Sequence, residues 1–217
     1  MTSTFQPLVA LTPQQQAIVP IAALAAAGQI DRLNAALVQG LEAGLTISTL
    51  REVLVQLYAY AGFPRSLNAL GELMKVLAAR QQLGIQDAAG DAPSHKAPQG
   101  ADLLASGTAN QTRLVGRPVA GPVFEFAPAI DEFLKTHLFG DIFERDNLDW
   151  QSREVATVAM LSALSGTDSQ VQSHLFISMN IGLSAEALRQ VIQILATQVD
   201  ASVAQRAEAA LARLLDK

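Results

Sequence analysis

Gly44-Leu45-Thr46 recurs late in the chain as Gly182-Leu183-Ser184. Each reads as a glycine in the left-handed position that ends a helix, a buried leucine, and a polar N-cap that starts the next helix. The same offset pairs Leu37 with Leu175, Leu50-Arg51 with Leu188-Arg189, Val53 with Val191, Leu57 with Leu195 and Ala69 with Ala207. A register held from Leu37 to Ala69 predicts a duplicated helical unit. No segment shows the strict alternation of a half-buried strand. Composition points the same way: 5% of residues are aromatic and 37 of the 217 are alanine, about one in six. Small side chains at that frequency favour closely packed helices over a sandwich or barrel. The expected fold is all-α, two packed helical bundles built from one repeated unit.

Local signals divide the chain. Thr12-Pro13-Gln14-Gln15 opens a helix with a cap, a proline at the first helical position and a glutamine able to close a capping box. That helix is expected to reach Gly28. A second spans about Gln29 to Ala43, and a third starts near Thr46 or Ser48 and ends at Ala61. Gly62-Phe63-Pro64 reads as a turn, followed by a helix from Pro64 to about Leu83. Gly90, Pro93, Pro98, Gly100, Gly116, Pro118, Gly121 and Pro122 punctuate a connector, with one short helix from Asp102 to Leu114. Pro128 to Leu138 and Asp141 to Arg145 flank a kink at Phe139-Gly140. Asp149 caps a helix to Leu164, and Asp168–Ile181, Ser184–Thr197 and Ser202–Leu215 complete the set. The expected organisation is a first repeat over 15–83, a connector over 84–124 and a second repeat over 125–217.

Several functions are excluded. Without cysteine there is no disulfide, no CxxC redox pair, no zinc finger and no thiol nucleophile. No apolar run reaches the ~18 residues that span a bilayer, and the first twenty residues carry no basic n-region, so a cytoplasmic protein with no membrane partner is expected. A net charge of −5 without a Lys/Arg cluster argues against nucleic acid. Mean hydropathy of +0.24 beside 16% charged residues predicts apolar surface covered in a homo-oligomer.

The candidate site residues concentrate in the second half. His174 can serve as general acid or base near neutral pH; the alternative is a core histidine held by a carboxylate or carbonyl. Glu154 can orient His174 or act as a base, or simply complement a helix N-terminus. Helical rise puts Glu154 ~19 Å and His174 ~10 Å from the turn between their helices. They can meet only where those helices cross, or across a repeat or subunit interface. Arg153 and Arg145 are candidate forks for a substrate carboxylate, or salt-bridge partners of Asp141, Asp146 or Asp149. His137, near Phe133 and Leu134, could line the same cavity. Tyr58 and Tyr60 point to different faces of one helix, so one of them, Tyr60 in the candidate set, can offer a hydroxyl to the site. His95 falls in the connector and reads as solvated. No HxxxH or ExxH spacing supports a metal site.

Ala35 to Thr46 (AALVQGLEAGLT), with Arg51 to Pro64 (REVLVQLYAYAGFP), resembles the carboxymuconolactone decarboxylase family, which shares the all-α alkylhydroperoxidase D fold. In the second half His137 to Asp146, Asp149 to Leu161 and Gln170 to Leu183 resemble it again. The resemblance covers residues 15–80 and 125–215 and identifies a tandem member. It implies a cofactor-free lyase acting on a small carboxylated lactone, with His174 delivering a proton and an arginine holding a remaining carboxylate. It also implies rings of dimers, hence a trimer of tandem chains; the phenylalanines of the Phe133 to Phe143 segment are the candidate interface anchors. Two departures bear on this. The peroxidase CxxC positions before His174 hold Thr167 and Gln170, so thiol peroxidase chemistry is closed. Ala36 replaces the histidine in the first repeat, leaving at most one complete site per chain. A non-catalytic helical oligomer or accessory subunit is the competing reading.

Overall fold

The structure, a computed structural model, describes residues 5–216. In chain order the helices are α1 (Pro13–Ala27), α2 (Ile30–Glu42), α3 (Ile47–Gln56), α4 (Tyr58–Gln82), α5 (Ala101–Val115), α6 (Pro122–Phe126), α7 (Pro128–Phe133), a π-helix (Leu134–Ile142), α8 (Trp150–Ala163), α9 (Asp168–Asn180), α10 (Ala185–Gln198) and α11 (Ala201–Leu215). Among the described residues there is no β-strand; one isolated parallel bridge joins Leu8 to Leu183. No helix among them is long and apolar enough to cross a membrane.

The duplication holds in the backbone. The offset that carries Gly44 onto Gly182 carries α2 onto 168–180, the bounds of α9, and carries the start of α3 onto Ala185, where α10 starts. The caps repeat as well. Thr46 accepts the Thr49 N–H and Ser184 accepts the Ala187 N–H, each after a left-handed glycine, Gly44 at φ 90° and Gly182 at φ 101°. The turn expected at Gly62-Phe63-Pro64 is a one-residue break inside α4, with Gly62 at φ 80° and ψ 163°. The same shift carries Gly62 to Asp200, which caps α11.

The chain forms two compact units, residues 1–90 with 151–217, and residues 91–150. Their division does not follow the repeats, since α1–α4 and α8–α11 share the first unit. Segment 84–90 of the expected connector belongs there too: Ala88 and Ala89 carbonyls accept the Ile47 and Ser48 N–H groups that open α3. Arg80 holds Asp87 bidentately, through Nε and Nη2 at 2.8–3.0 Å. Within this unit α1 is buried from Ile18 to Ala26 and α8 from Ser152 to Ser162. A helix buried on all sides lies inside its bundle rather than on its surface. α8 therefore carries Ser152, Arg153, Glu154, Thr157 and Ser162 into the core.

In the second unit α5 packs on the π-helix. The approach is close enough that a Cβ on Gly107 would lie 1.7 Å from the Lys135 carbonyl oxygen. Asn110 donates to Phe139 O and to Glu144. Where a kink at Phe139-Gly140 was expected, the chain instead widens into the π-helix from Leu134. Phe139 and Phe143 are 5% and 2% exposed, with ring centroids 5.5 Å apart. That burial corrects the assignment of Phe139 and Phe143 as interface anchors, because both already serve the core of their own unit; Phe133, the third phenylalanine of that segment, is 63% exposed. His95, expected in solvent, is half exposed between Glu144 and Asp146, each 3.6 Å away.

Candidate active site

Three positions of the α3–α4 segment, Glu52, Gln56 and Tyr60, recur every four residues and so share a face. Leu50, Val53, Leu54 and Leu57 bury the rest of the segment, so this polar stripe is carried inward with them. Glu52 and Gln56 are 3% and 0% exposed. Arg153 and Thr157 form a matching pair one turn apart on α8, both 0% exposed. The Arg153 guanidinium donates from Nη2 to Glu52 Oε2 and from Nη1 to Gln56 Oε1, each at 3.1 Å. Gln56 Nε2 donates in turn to Arg153 O at 3.1 Å and to Thr157 Oγ1 at 2.8 Å. The single Thr157 hydroxyl proton goes to Arg153 O at 2.9 Å or to Tyr60 Oη at 3.3 Å. A buried ion costs several kcal/mol unless it is paired and hydrogen-bonded, and this lattice gives the Arg153 guanidinium a carboxylate and an amide oxygen.

Glu154 lies beside this lattice at 0% exposure. Its Oε2 is 2.8 Å from His174 Nδ1 on α9. The pair therefore meets within one repeat of one chain, which requires α8 and α9 to meet at an angle instead of lying level as an antiparallel hairpin. His174 is 9% exposed, so the cluster reaches the surface at the imidazole. The Tyr60 ring stands edge-on to it at 5.8 Å. Burial pushes the Tyr60 phenol above its usual range, and the Glu154 carboxylate adds to that, so Tyr60 stays protonated. The second carboxylate oxygen, Glu154 Oε1, is buried without a hydrogen-bond partner, as is Ser178 Oγ one turn after His174. Buried polar atoms are nearly always satisfied, so this carboxylate oxygen, beside an imidazole, is an exception within the core.

Of the residues singled out in the sequence, the structure brings together His174, Glu154, Arg153 and Tyr60. Arg153 is not placed as a substrate anchor: it is fully buried and held by Glu52, a partner different from the aspartates considered for it. Arg145 and His137 belong to the second unit. There His137 Nδ1 lies 2.6 Å from Asp141 with the ring about half exposed, and Arg145 is half-buried, its backbone N–H bonded to Ile142 O. Tyr58 stacks on Phe63 at 4.5 Å. Sequence reasoning passed over Glu52, Gln56 and Thr157. Their signal was the four-residue spacing of Glu52, Gln56 and Tyr60 inside an apolar run. Among the described residues no group of three or more His, Asp or Glu is placed to hold a metal ion.

No curated protein matches the chain. The sequence model of the carboxymuconolactone decarboxylase family matches it twice, over residues 4–74 and 128–213. One match contains Glu52, Gln56 and Tyr60 and the other Arg153, Glu154, Thr157 and His174, so the cluster is assembled from both copies of the matched unit. With most of its length accounted for in two tandem segments, the chain belongs to the carboxymuconolactone decarboxylase family.

Proposed function

We propose that the chain is a cofactor-free carboxy-lyase acting on a small carboxylated lactone, the substrate class that the family's name describes. The observation that supports an enzyme over a non-catalytic accessory subunit is the Glu154–His174 pair. A buried carboxylate with one oxygen on an imidazole and the other unsatisfied adds nothing to stability that apolar packing would not, whereas it suits proton transfer. In the proposed reaction the bond to the leaving carboxylate breaks and carbon dioxide departs. The electron pair moves into the conjugated lactone carbonyl. His174 returns a proton to carbon from Nε2 while Glu154 retains Nδ1–H, which fixes the ring's orientation and stabilises the imidazolium. Glu154 is thus a positioning residue and His174 the catalytic one. Arg153 acts by holding Glu52 and the α3 stripe in place. For His137 and Arg145 we propose no step.

Carbon dioxide release from 4-carboxymuconolactone tests this. His174→Gln is expected to lower kcat by about 10²–10⁴-fold with the fold retained. Glu154→Gln is expected to lower kcat with little change in KM and to move the pH profile. Release by the wild-type chain no faster than in buffer would overturn the reading.

We further propose a homo-oligomer, a trimer of tandem chains. Phe63, Leu67 and Met74 support it: they share one face of α4 and are 63%, 62% and 71% exposed. An apolar stripe of that kind favours association.

A further inference from the structure

The register that aligns Gly44 with Gly182 gives each member of the cluster a counterpart in the other half. Arg153, Glu154 and His174 correspond to Gln15, Gln16 and Ala36, and Glu52 and Tyr60 to Gln190 and Gln198. Every ionisable side chain is replaced by a neutral one, four of the five by glutamine. Gln15 and Gln190 now make ordinary structural bonds: Gln15 Nε2 donates to Ser152 Oγ at 3.3 Å, and Gln190 Oε1 accepts the Leu11 N–H at 2.9 Å. Ala36 and Gln198, where the larger His174 and Tyr60 stand in the other half, instead line a cavity of about 430 Å³. That volume lies in the range of small-molecule sites.

Its floor is apolar and buried, formed by Pro20, Leu24 and Ala36, and Arg32, Gln39 and Gln198 line its exposed side. Among the described residues no acidic side chain lines it. Arg32 is held in place by two bonds, Nη1 to Gln29 Oε1 at 2.7 Å and Nη2 to Gln198 O at 2.8 Å. A guanidinium has five N–H donors, so three stay open. Asp200, a carboxylate that feels Arg32, accepts the Ser202 backbone N–H and hydroxyl on Oδ1. An oriented cation above an apolar floor fits a small carboxylate with an apolar body. With no acid or base in the lining, such a ligand would be held but not transformed.

We propose that this cavity is a second, non-catalytic site for a small apolar carboxylate, with Arg32 as its anchor. The inference stands whether or not the His174 site turns over a lactone.

Benzoate is the probe, titrated into the full chain and followed by amide-resolved NMR. The expected result is saturable movement of the Ala35, Ala36 and Gln39 amides. Arg32→Ala should weaken binding about tenfold, and Gln39→Glu, at an exposed position, should weaken it by like-charge repulsion with the fold intact. His174→Ala should leave it unchanged. Immobile α2 amides, equal affinity in wild type and both cavity variants, or loss confined to His174→Ala would overturn the proposal. So would amide shifts that follow protein concentration instead of benzoate, because they would assign the cavity to a contact between copies.

Discussion

At the scale of single residues, Arg153 is the most consequential group in the chain. Among the described residues it is the largest side chain that is wholly buried, and Glu52 and Gln56 are side-chain partners of it on α3. Removing one member of such a pair strands the other. Arg153→Met is expected to lower the unfolding free energy by about 3–5 kcal/mol. Glu52→Leu combined with Arg153→Met should recover most of that loss, because two apolar groups leave no unpaired charge. Denaturant titration of the two variants checks it, and a single-variant cost below about 1 kcal/mol would show that the pair is solvated. Little of this was legible beforehand. Arg153 and Glu154 stood out by type, but Glu52 and Gln56 look like the polar positions of any amphipathic helix. Their four-residue spacing with Tyr60 marks a polar stripe inside an apolar run, but not the partner that gives it meaning, which lies far away along the chain on α8. His174 and Glu154 were legible as types, whereas their direct contact depends on the angle between two helices.

At the scale of elements, the short-range chemistry was readable because it is local. The Thr12, Thr46 and Ser184 caps each stand where a helix begins, and the expected limits of α2 and α9 lie within one residue of the observed ones, whereas α3 ends at Gln56 and α4 takes over at Tyr58, short of the expected Ala61. The Gly62 break falls in the turn expected there, with Pro64 two residues on in the helical stretch that follows. The difference is where tertiary packing overrides local preference. The segment around Phe139-Gly140 widens into a π-helix against α5. One element contact also gives a pH test. Glu72 on α4 takes Asn34 Nδ2–H from α2 at 2.6 Å and lies 3.0 Å from Lys75 Nζ. Those bonds, Asn34's first, hold the Glu72 carboxyl below its usual range. A depressed carboxylate contributes stability above its unfolded value, near pH 4.3, and loses it as pH falls through the folded value. Asn34→Ala should therefore cost about 1.5–3 kcal/mol at pH 7, and the difference from wild type should shrink below about pH 4. A difference that stays constant down to about pH 3 would contradict it.

At the scale of the whole molecule, exposed apolar side chains decide the expected assembly. Light scattering at micromolar concentration should give about three times the chain mass of 23.0 kDa, and Leu67→Asp, at an exposed α4 position, should lower it. A species at the chain mass would defeat the oligomer, and one at twice that mass would defeat the trimer. The number of sites per chain has a different origin. Two identical subunits on a twofold axis cannot differ at any position, since each mutation appears in both. Joining two such units in one polypeptide removes that restriction. One half can carry Glu154 and His174 while the other carries Gln16 and Ala36, with the same helices and caps in both. The doubled register is thus a source of evolutionary freedom: a single gene can hold two different sets of side chains at corresponding places of one scaffold, and either set can change without the other.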